Sequence, residues 1–340
     1  MNRKPGHPRS RLPLALTMGE PSGIGPEITL KAWTARRREA LPPFLVIGNA
    51  DLYAGLAISL GLDISLKEIA RPEEALAVFG TALPVLPIKL DAPVVPGTIT
   101  PANAHAVIHS IDMACDFAMN GEAGGIVTNP IHKRALYEAG LKAPGHTEYL
   151  SQRSGGATPV MMLSCPGLRV VPVSVHEPLR DVAFSLTTEM IAEKGIILVR
   201  ALKNDLGIKR PRIAIAGLNP HAGEEGHIGR EEIDIIAPAM KIIAREEGVE
   251  LLGPLPPDTM FHAAARARYD AALCMYHDQA LIPIKTIDFE RGVNTTLGLP
   301  IIRTSPDHGT ALDIAGKGIA SPLSLIEAIK LAHEIASHRP

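Results

Sequence analysis

Cysteine is almost absent: Cys115, Cys165 and Cys274 are the only three in 340 residues. An odd number of widely spaced thiols with no C-x-x-C pair excludes a disulfide framework and a cysteine-rich zinc site. It predicts reduced thiols and a cytoplasmic setting. Aromatic residues are scarce, at 4%, so the core must be built from Ala, Ile, Leu and Val, which suits a buried parallel sheet. Neither charge is in excess, with 34 Lys and Arg against 36 Asp and Glu. That balance argues against the basic face of a nucleic-acid or membrane-surface protein. No uncharged apolar run approaches the roughly 18–20 residues of a membrane span. Residues 12–18, interrupted by Pro13, are too short for the apolar core of a signal peptide. Residues 1–11 read as a basic, disordered tail. Gly and Pro, 30 of each, are scattered without a period, which excludes collagen-like and low-complexity segments.

What is present is alternation of strand-like and helix-like segments. Strands are predicted at 14–17, 44–47, 125–128, 160–163, 170–175, 212–216 and 271–276, from short runs rich in Val, Ile, Leu and Ala. Helices are predicted from Pro26 onward and at 51–60, 101–120, 130–139, 188–206, 231–247, 258–269 and 322–336, with Gly121 and Gly207 as stops. This order predicts an α/β protein with a largely parallel sheet. A chain of this length predicts two compact units or one large one. With no linker-like segment, a boundary is expected where the chain crosses between interleaved halves. In such sheets ligands bind beyond the carboxyl ends of strands, so the residues just after each strand matter most.

The first strand–helix turn, Gly19 to Glu27, lacks both the P-loop ending and the G-x-G-x-x-G spacing. It reads equally as a tight turn or as an anion site at a helix start. Of the 13 histidines, His176, His221 and His277 each sit at or just past a predicted strand's carboxyl end. Three neutral imidazoles with an open position suit a catalytic divalent ion, although no local spacing motif marks them. His146 and Thr147 open a helix after Gly145, where Thr147 serves as a cap or the pair holds a phosphate or carboxylate. His132, Lys133 and Arg134 form a cationic cluster just upstream. Lys285, Arg291 and Arg303, near Asn294, Thr295 and Thr296, are either anion-binding groups or ordinary surface charge.

The segments LTMGEPSGIGPEI, TNPIHK, GHTEYL, GLNPHAGEEGHIGREE, GPLPPDTMF, MYHDQALIPIK and GVNTTLGLPIIRTSPDHGTALDIAGKGIA together resemble the 4-hydroxythreonine-4-phosphate dehydrogenase family of vitamin B6 biosynthesis. The match runs in order from about residue 12 to 335, and GIGPEI and DHGTALDIAGKGIA also resemble isocitrate and isopropylmalate dehydrogenases. The resemblance implies two interlocked α/β/α domains with the active site in the interdomain cleft. The domains are expected at 12–130 plus 303–340 and at 131–302. It implies metal ligation by His176, His221 and His277 and substrate binding by His146, Thr147, Lys285, Asn294 and Arg303; Lys285 is also the candidate for proton transfer. It implies an NAD or NADP cofactor, whose binding residues are left unassigned, and one divalent metal per subunit (Zn, Co or Mg). The implied reaction is oxidation of 4-phosphooxy-L-threonine, and the implied assembly is a homodimer with the active site at the subunit interface. Leu297, Leu299, Ile301 and Ile302 are either part of that shared surface or ordinary core. Related enzymes acting on phosphorylated threonate or cyclic diol dicarboxylates share the pattern, though DQALIPIKTIDFERGVN is closer to the biosynthetic branch. A zinc hydrolase and a non-catalytic sugar-phosphate binder are the readings from other classes; no HExxH-type motif supports the first.

Overall fold

The computed structural model describes residues 8–140 and 145–339. Its strands are β1 (Leu14–Thr17), β2 (Phe44–Gly48), β3 (Leu66–Glu68), β4 (Leu83–Pro87), β5 (Ile126–Val127), β6 (Val160–Cys165), β7 (Leu168–Pro172), β8 (Arg212–Ala216), β9 (Glu250–Leu255), β10 (Ala271–Cys274), β11 (Val293–Leu297) and β12 (Arg303–Pro306). Two compact units divide them: the first runs up to Pro159 and resumes at Leu299, and the second is Val160–Gly298. The chain therefore leaves the first unit once and returns to it, as an interleaved architecture requires. The first boundary differs from the expected 130/131. Residues 131–159 stay with the first unit because Leu136 and Leu150 are buried in the same apolar cluster as Ile111, Cys115 and Ala118.

In the first unit the strand order is β3-β4-β2-β1-β5-β12, and every pairing is parallel. All residues of β1 and β2 are buried, which explains why these strands read as unbroken apolar runs rather than alternating ones. The helix Ala104–Asn120 turns Val107, Ile111, Ala114, Cys115 and Ala118 inward and stops at Gly121, whose φ is 74°. After β1, Gly19 (φ 70°) lies where a Cβ would come within 2.7 Å of both Asn129 Cβ and the Pro130 carbonyl. The turn thus needs glycine for close approach, in line with the tight-turn reading. Of the expected tail, residues 1–7 lie outside the described residues. Arg9–Arg11 instead form a 3₁₀ turn, packed so that its Arg9 carbonyl lies 2.5 Å from where a Cβ on Gly124 would sit.

The second unit has the order β11-β6-β7-β10-β8-β9. Here β7, β10, β8 and β9 run parallel, while β6 pairs antiparallel with both β7 and β11. Leu163, Val170, Ala214, Ala272, Cys274 and Ile284 make its core. The expected helix 231–247 is a π turn, Glu232–Ile236, running into the helix Ala237–Ile243. The expected helix 258–269 is broken into a 3₁₀ turn, Pro257–Thr259, and the single turn Ala263–Arg266. Only Met260 and Tyr269 are buried in that stretch, so no apolar stripe holds a longer helix in place.

Leu297, Leu299, Ile301 and Ile302 are at most 3% exposed within the single chain. They are ordinary core, not surface a partner can share. The three cysteines are buried and free, and burial raises each thiol pKa. Among the described residues no helix is long and apolar enough to cross a membrane.

Candidate active site

Three adjacent parallel strands of the second unit, β7, β10 and β8, lead at their carboxyl ends to His176, His277 and His221. Beyond β7 the backbone stays tied to the segment after β10: Val173 N donates to the Cys274 carbonyl (2.8 Å) and Ser174 N to the Met275 carbonyl (3.1 Å). His176 follows two residues later. His277 is the first residue of the helix His277–Ile287. The His176 and His277 rings lie side by side, with centroids 6.4 Å apart. His277 Nδ1 is 2.7 Å from Asp278 Oδ1. A carboxylate can only accept, so Nδ1 carries a proton, and in the neutral ring Nε2 is then the nitrogen with the lone pair. That is the arrangement a metal-ligating imidazole uses.

His221 is presented differently. After β8 and Pro220, five consecutive residues lie in the left-handed region: His221 (φ 53°), Ala222 (52°), Gly223 (80°), Glu224 (43°) and Glu225 (55°). Each non-glycine residue there costs roughly 1–2 kcal/mol, so the turn must be held from outside. Buried Glu232 does this. Its Oε1 accepts from Leu218 N and Asn219 N, both at 2.7 Å, and its Oε2 accepts from Asn219 Nδ2 at 2.9 Å. A Cβ on Gly223 would come within 2.6 Å of Glu232 Oε2, so only glycine fits beneath the carboxylate. Sequence reading placed Glu232 inside a helix and missed this role. Nothing in its spacing marks it, because the contact is made through non-periodic backbone.

The donors fit a divalent ion in chemistry and in strand placement. His176 and His277 are already paired, whereas among the described residues no three His, Cys, Asp or Glu side chains close on one point. His221 therefore stands apart from the pair in this conformation.

Two more expected residues belong to the second unit. Lys285 lies on the helix begun by His277, and its Nζ is 5.1 Å from the Phe289 ring centroid. Asn294 is on β11 opposite Leu163, and its Oδ1 is buried without a hydrogen-bond partner. Arg291 is exposed, in the turn before β11.

The first unit holds the others. His146 and Thr147 open the helix His146–Arg153, but the capping position is Gly145 and no side chain caps it. Thr147 is therefore not the cap. His146 Nε2 is buried without a partner. Burial, reinforced by the nearby Arg303 and Lys133 charges, holds its pKa well below the usual histidine value, so the ring is neutral. Arg303 is itself buried and donates from Nε (3.1 Å) and Nη2 (2.8 Å) to Thr128 Oγ1. Burial lowers its pKa to about 10, with Glu148 opposing the shift, and it remains a cation at neutral pH. Glu148 Oε2 and Lys133 Nζ lie 3.0 and 3.8 Å from where a Cβ on Gly145 would sit. His146, Arg303, Lys133 and Glu148 are thus gathered in one cation-rich neighbourhood. His132 instead caps the helix Lys133–Glu138 by accepting from Ala135 N. Arg134 pairs with Glu138 at the surface. Separately, a cavity of about 620 Å³ opens at the carboxyl ends of β1, β2 and β4, with Pro21, Gly23, Asn49, Asp51, Asp91 and Gly316 in its lining.

The model of the family described as pyridoxal phosphate biosynthetic protein PdxA matches residues 40–332. A 4-hydroxythreonine-4-phosphate dehydrogenase of Caulobacter vibrioides is 52% identical over 333 residues, covering 96% of this chain and 98% of its own. A crystal structure of a 4-hydroxythreonine-4-phosphate dehydrogenase from Klebsiella pneumoniae superposes with a TM-score of 0.86 at 38% identity, covering 96% of this chain and 98% of that one. A terephthalate 1,2-cis-dihydrodiol dehydrogenase from Burkholderia xenovorans is more distant, with a TM-score of 0.65 and 27% identity over 95% of this chain and 98% of that one.

Proposed function

The chain belongs to the PdxA family of pyridoxal phosphate biosynthetic proteins, and from that premise we propose that it oxidises the C3 hydroxyl of 4-phosphooxy-L-threonine. Bound NAD or NADP would supply the hydride acceptor, and a base of this chain takes the hydroxyl proton. The product, 2-amino-3-oxo-4-phosphooxybutanoate, is a β-keto acid that loses CO₂ to give 3-amino-2-oxopropyl phosphate. The observation that carries this reading is the placement of His176, His277 and His221 after three neighbouring parallel strands. These residues would hold one divalent ion (Zn, Co or Mg), which when bound lowers the pKa of a coordinated hydroxyl and so favours hydride departure.

The chain's own groups do the rest. Buried Arg303, with its charge intact, binds an anionic group of the substrate. His146, held neutral, and Thr147 position the phosphate beside it by hydrogen bonding. Asn294 Oδ1, a buried acceptor without a partner, accepts a hydrogen bond from the substrate's ammonium or hydroxyl. Lys285 is the proton-transfer group or a further anion anchor. The cavity at the ends of β1, β2 and β4 suits the nucleoside part of the cofactor, because Leu52, Leu56, Leu90 and Val94 offer apolar walls and Asp51 and Asp91 can accept from ribose hydroxyls. The working unit in this reading is a homodimer with the active site at the subunit interface, in the cytoplasm. The much higher identity to the biosynthetic relatives than to the dihydrodiol enzyme favours the phosphorylated amino acid over a cyclic diol.

The test is NADH or NADPH formation with 4-phosphooxy-threonine, phospho-threonate and a cyclic diol as alternative substrates. Metal-stripped protein and the His221→Ala variant are expected to fall by at least about 10³-fold in turnover, while cooperative unfolding persists because an exposed ligand contributes little packing. Full activity of the stripped protein without added divalent ion would overturn the metal reading.

A further inference from the structure

Three strand ends can present three ligands to one ion only if they keep a fixed register beyond the sheet. Between β7 and β10 the main chain does this itself, through Val173 N to Cys274 O and Ser174 N to Met275 O. Between β10 and β8 the paired register ends at Leu273 and Ile215. Continued by two residues, that register would set Met275 opposite Gly217. There the amide side chain of Gln279, buried at 6% exposure, bridges the two segments. Its Oε1 accepts from Met275 N (2.6 Å) and its Nε2 donates to the Gly217 carbonyl (2.8 Å).

We infer that Gln279 is a positioning residue for the metal centre, a side-chain rung that joins the His277 segment to the His221 segment where the backbone ladder stops. Met275 is the hub. Its carbonyl is tied to the His176 segment through Ser174, and its N–H is tied through Gln279 to the His221 segment. The three connected positions stand two residues before His176, two before His277 and four before His221. An amide meets the need directly: one end must accept and the other must donate, and among side chains of this length only Gln does both without taking up a proton. Both ends of the Gln279 amide are taken up by main chain, so it acts through the histidines, as outer-shell partners of metal ligands do. The inference rests on the proposed three-histidine site.

The experiment compares full-length wild type, Gln279→Glu, Gln279→Met and, as a stability control at the opposite end of the same strands, Asp270→Asn. Gln279→Glu keeps the acceptor for Met275 and sets a carboxylate oxygen against the Gly217 carbonyl; Gln279→Met removes both bonds. Metal-free protein is titrated with Co(II) and read by its visible absorption, with thermal unfolding of the metal-free form alongside. Both Gln279 variants are expected to bind Co(II) about 10- to 100-fold more weakly and with an altered visible band, while unfolding stays cooperative. Asp270→Asn is expected to keep wild-type affinity and band. If wild type binds Co(II) and the Gln279 variants match it in affinity and band, the positioning role is wrong and the metal reading stands. If wild type itself gives no histidine-type Co(II) band, both fall together.

Discussion

At the scale of single residues, Arg303 and the buried Nε2 of His146 illustrate how one environment sets two protonation states. Arg303 and His146 are both desolvated, and burial disfavours the charged form of each. The guanidinium starts from so high a pKa that lowering it to about 10 leaves it charged. The imidazole starts near neutrality, and burial beside two cations removes its charge altogether. A neutral ring offers one donor and one acceptor, which suits hydrogen bonding to a phosphate already neutralised by its neighbours. This carries a stability cost in acid. Because the folded pKa of His146 is depressed, the unfolded chain takes up the proton first, and the stabilisation present above about pH 6.5 is lost as pH falls. His146→Gln should therefore flatten the acid side of a stability-against-pH curve, by up to ~1.4 kcal/mol per pH unit below 6.5. Urea unfolding midpoints between pH 7.5 and 5 measure it; parallel curves for the two proteins would show that the ring charges freely in the fold.

At the scale of elements, the second unit separates stability from chemistry by placing them at opposite ends of the same strands. Ahead of β8 and β10, Arg212 grips Asp270: Nη2 to Oδ1 at 2.9 Å, with Arg212 N and Nε both on Oδ2. Burial pushes the Asp270 pKa up, but the bonds from Arg212 outweigh it and hold the carboxyl below its ordinary 3.8. A depressed folded pKa stabilises above 3.8, and the contribution is lost as pH falls through the lower folded value. Asp270→Asn should accordingly cost about 1–3 kcal/mol at pH 7, less in strong acid, with unchanged kcat/KM. A variant as stable as wild type at neutral pH would mean the clamp contributes nothing.

The carboxyl ends are where sequence reading succeeded and also where it stopped. Strand β8 was legible to the residue, since RIAIA is an apolar run bounded by Pro211 and Gly217, and so was the placement of His176, His221 and His277 after strands. Strands β11 and β12, VNTTL and RTSP, were missed because their Asn, Thr, Arg and Ser side chains break the apolar run that marks a buried strand. Residues Glu232 and Gln279 were missed for a related reason. Their contacts join segments separated by 14 and 62 positions, and no local periodicity encodes a bond made to loop backbone.

At the scale of the whole molecule, the question is what covers the apolar side chains the single chain leaves in water. Leu297, Leu299, Ile301 and Ile302 are excluded, being core. The second unit instead exposes Leu179 (68%), Phe184 (90%), Ile282 (63%) and Phe289 (72%). Leu179 and Phe184 share the helix Leu179–Ser185, and Leu179 lines the same cavity, about 460 Å³, as His176 and His277. A second copy seated on this helix would bury Phe184 and close the wall of the paired histidines in one step. That links the proposed homodimer to the proposed site. Two-fold symmetry makes each substitution count twice. Losing a buried Phe costs roughly 1.5–3 kcal/mol per copy, so Phe184→Asp should weaken association by about 100-fold or more. Light scattering across a dilution series should show the variant as monomer at concentrations where wild type is dimer. Specific activity of wild type should fall in step with dimer mass as it is diluted. A monomeric Phe184→Asp protein with full activity would detach the site from the interface, and unchanged mass would place the interface elsewhere on the chain.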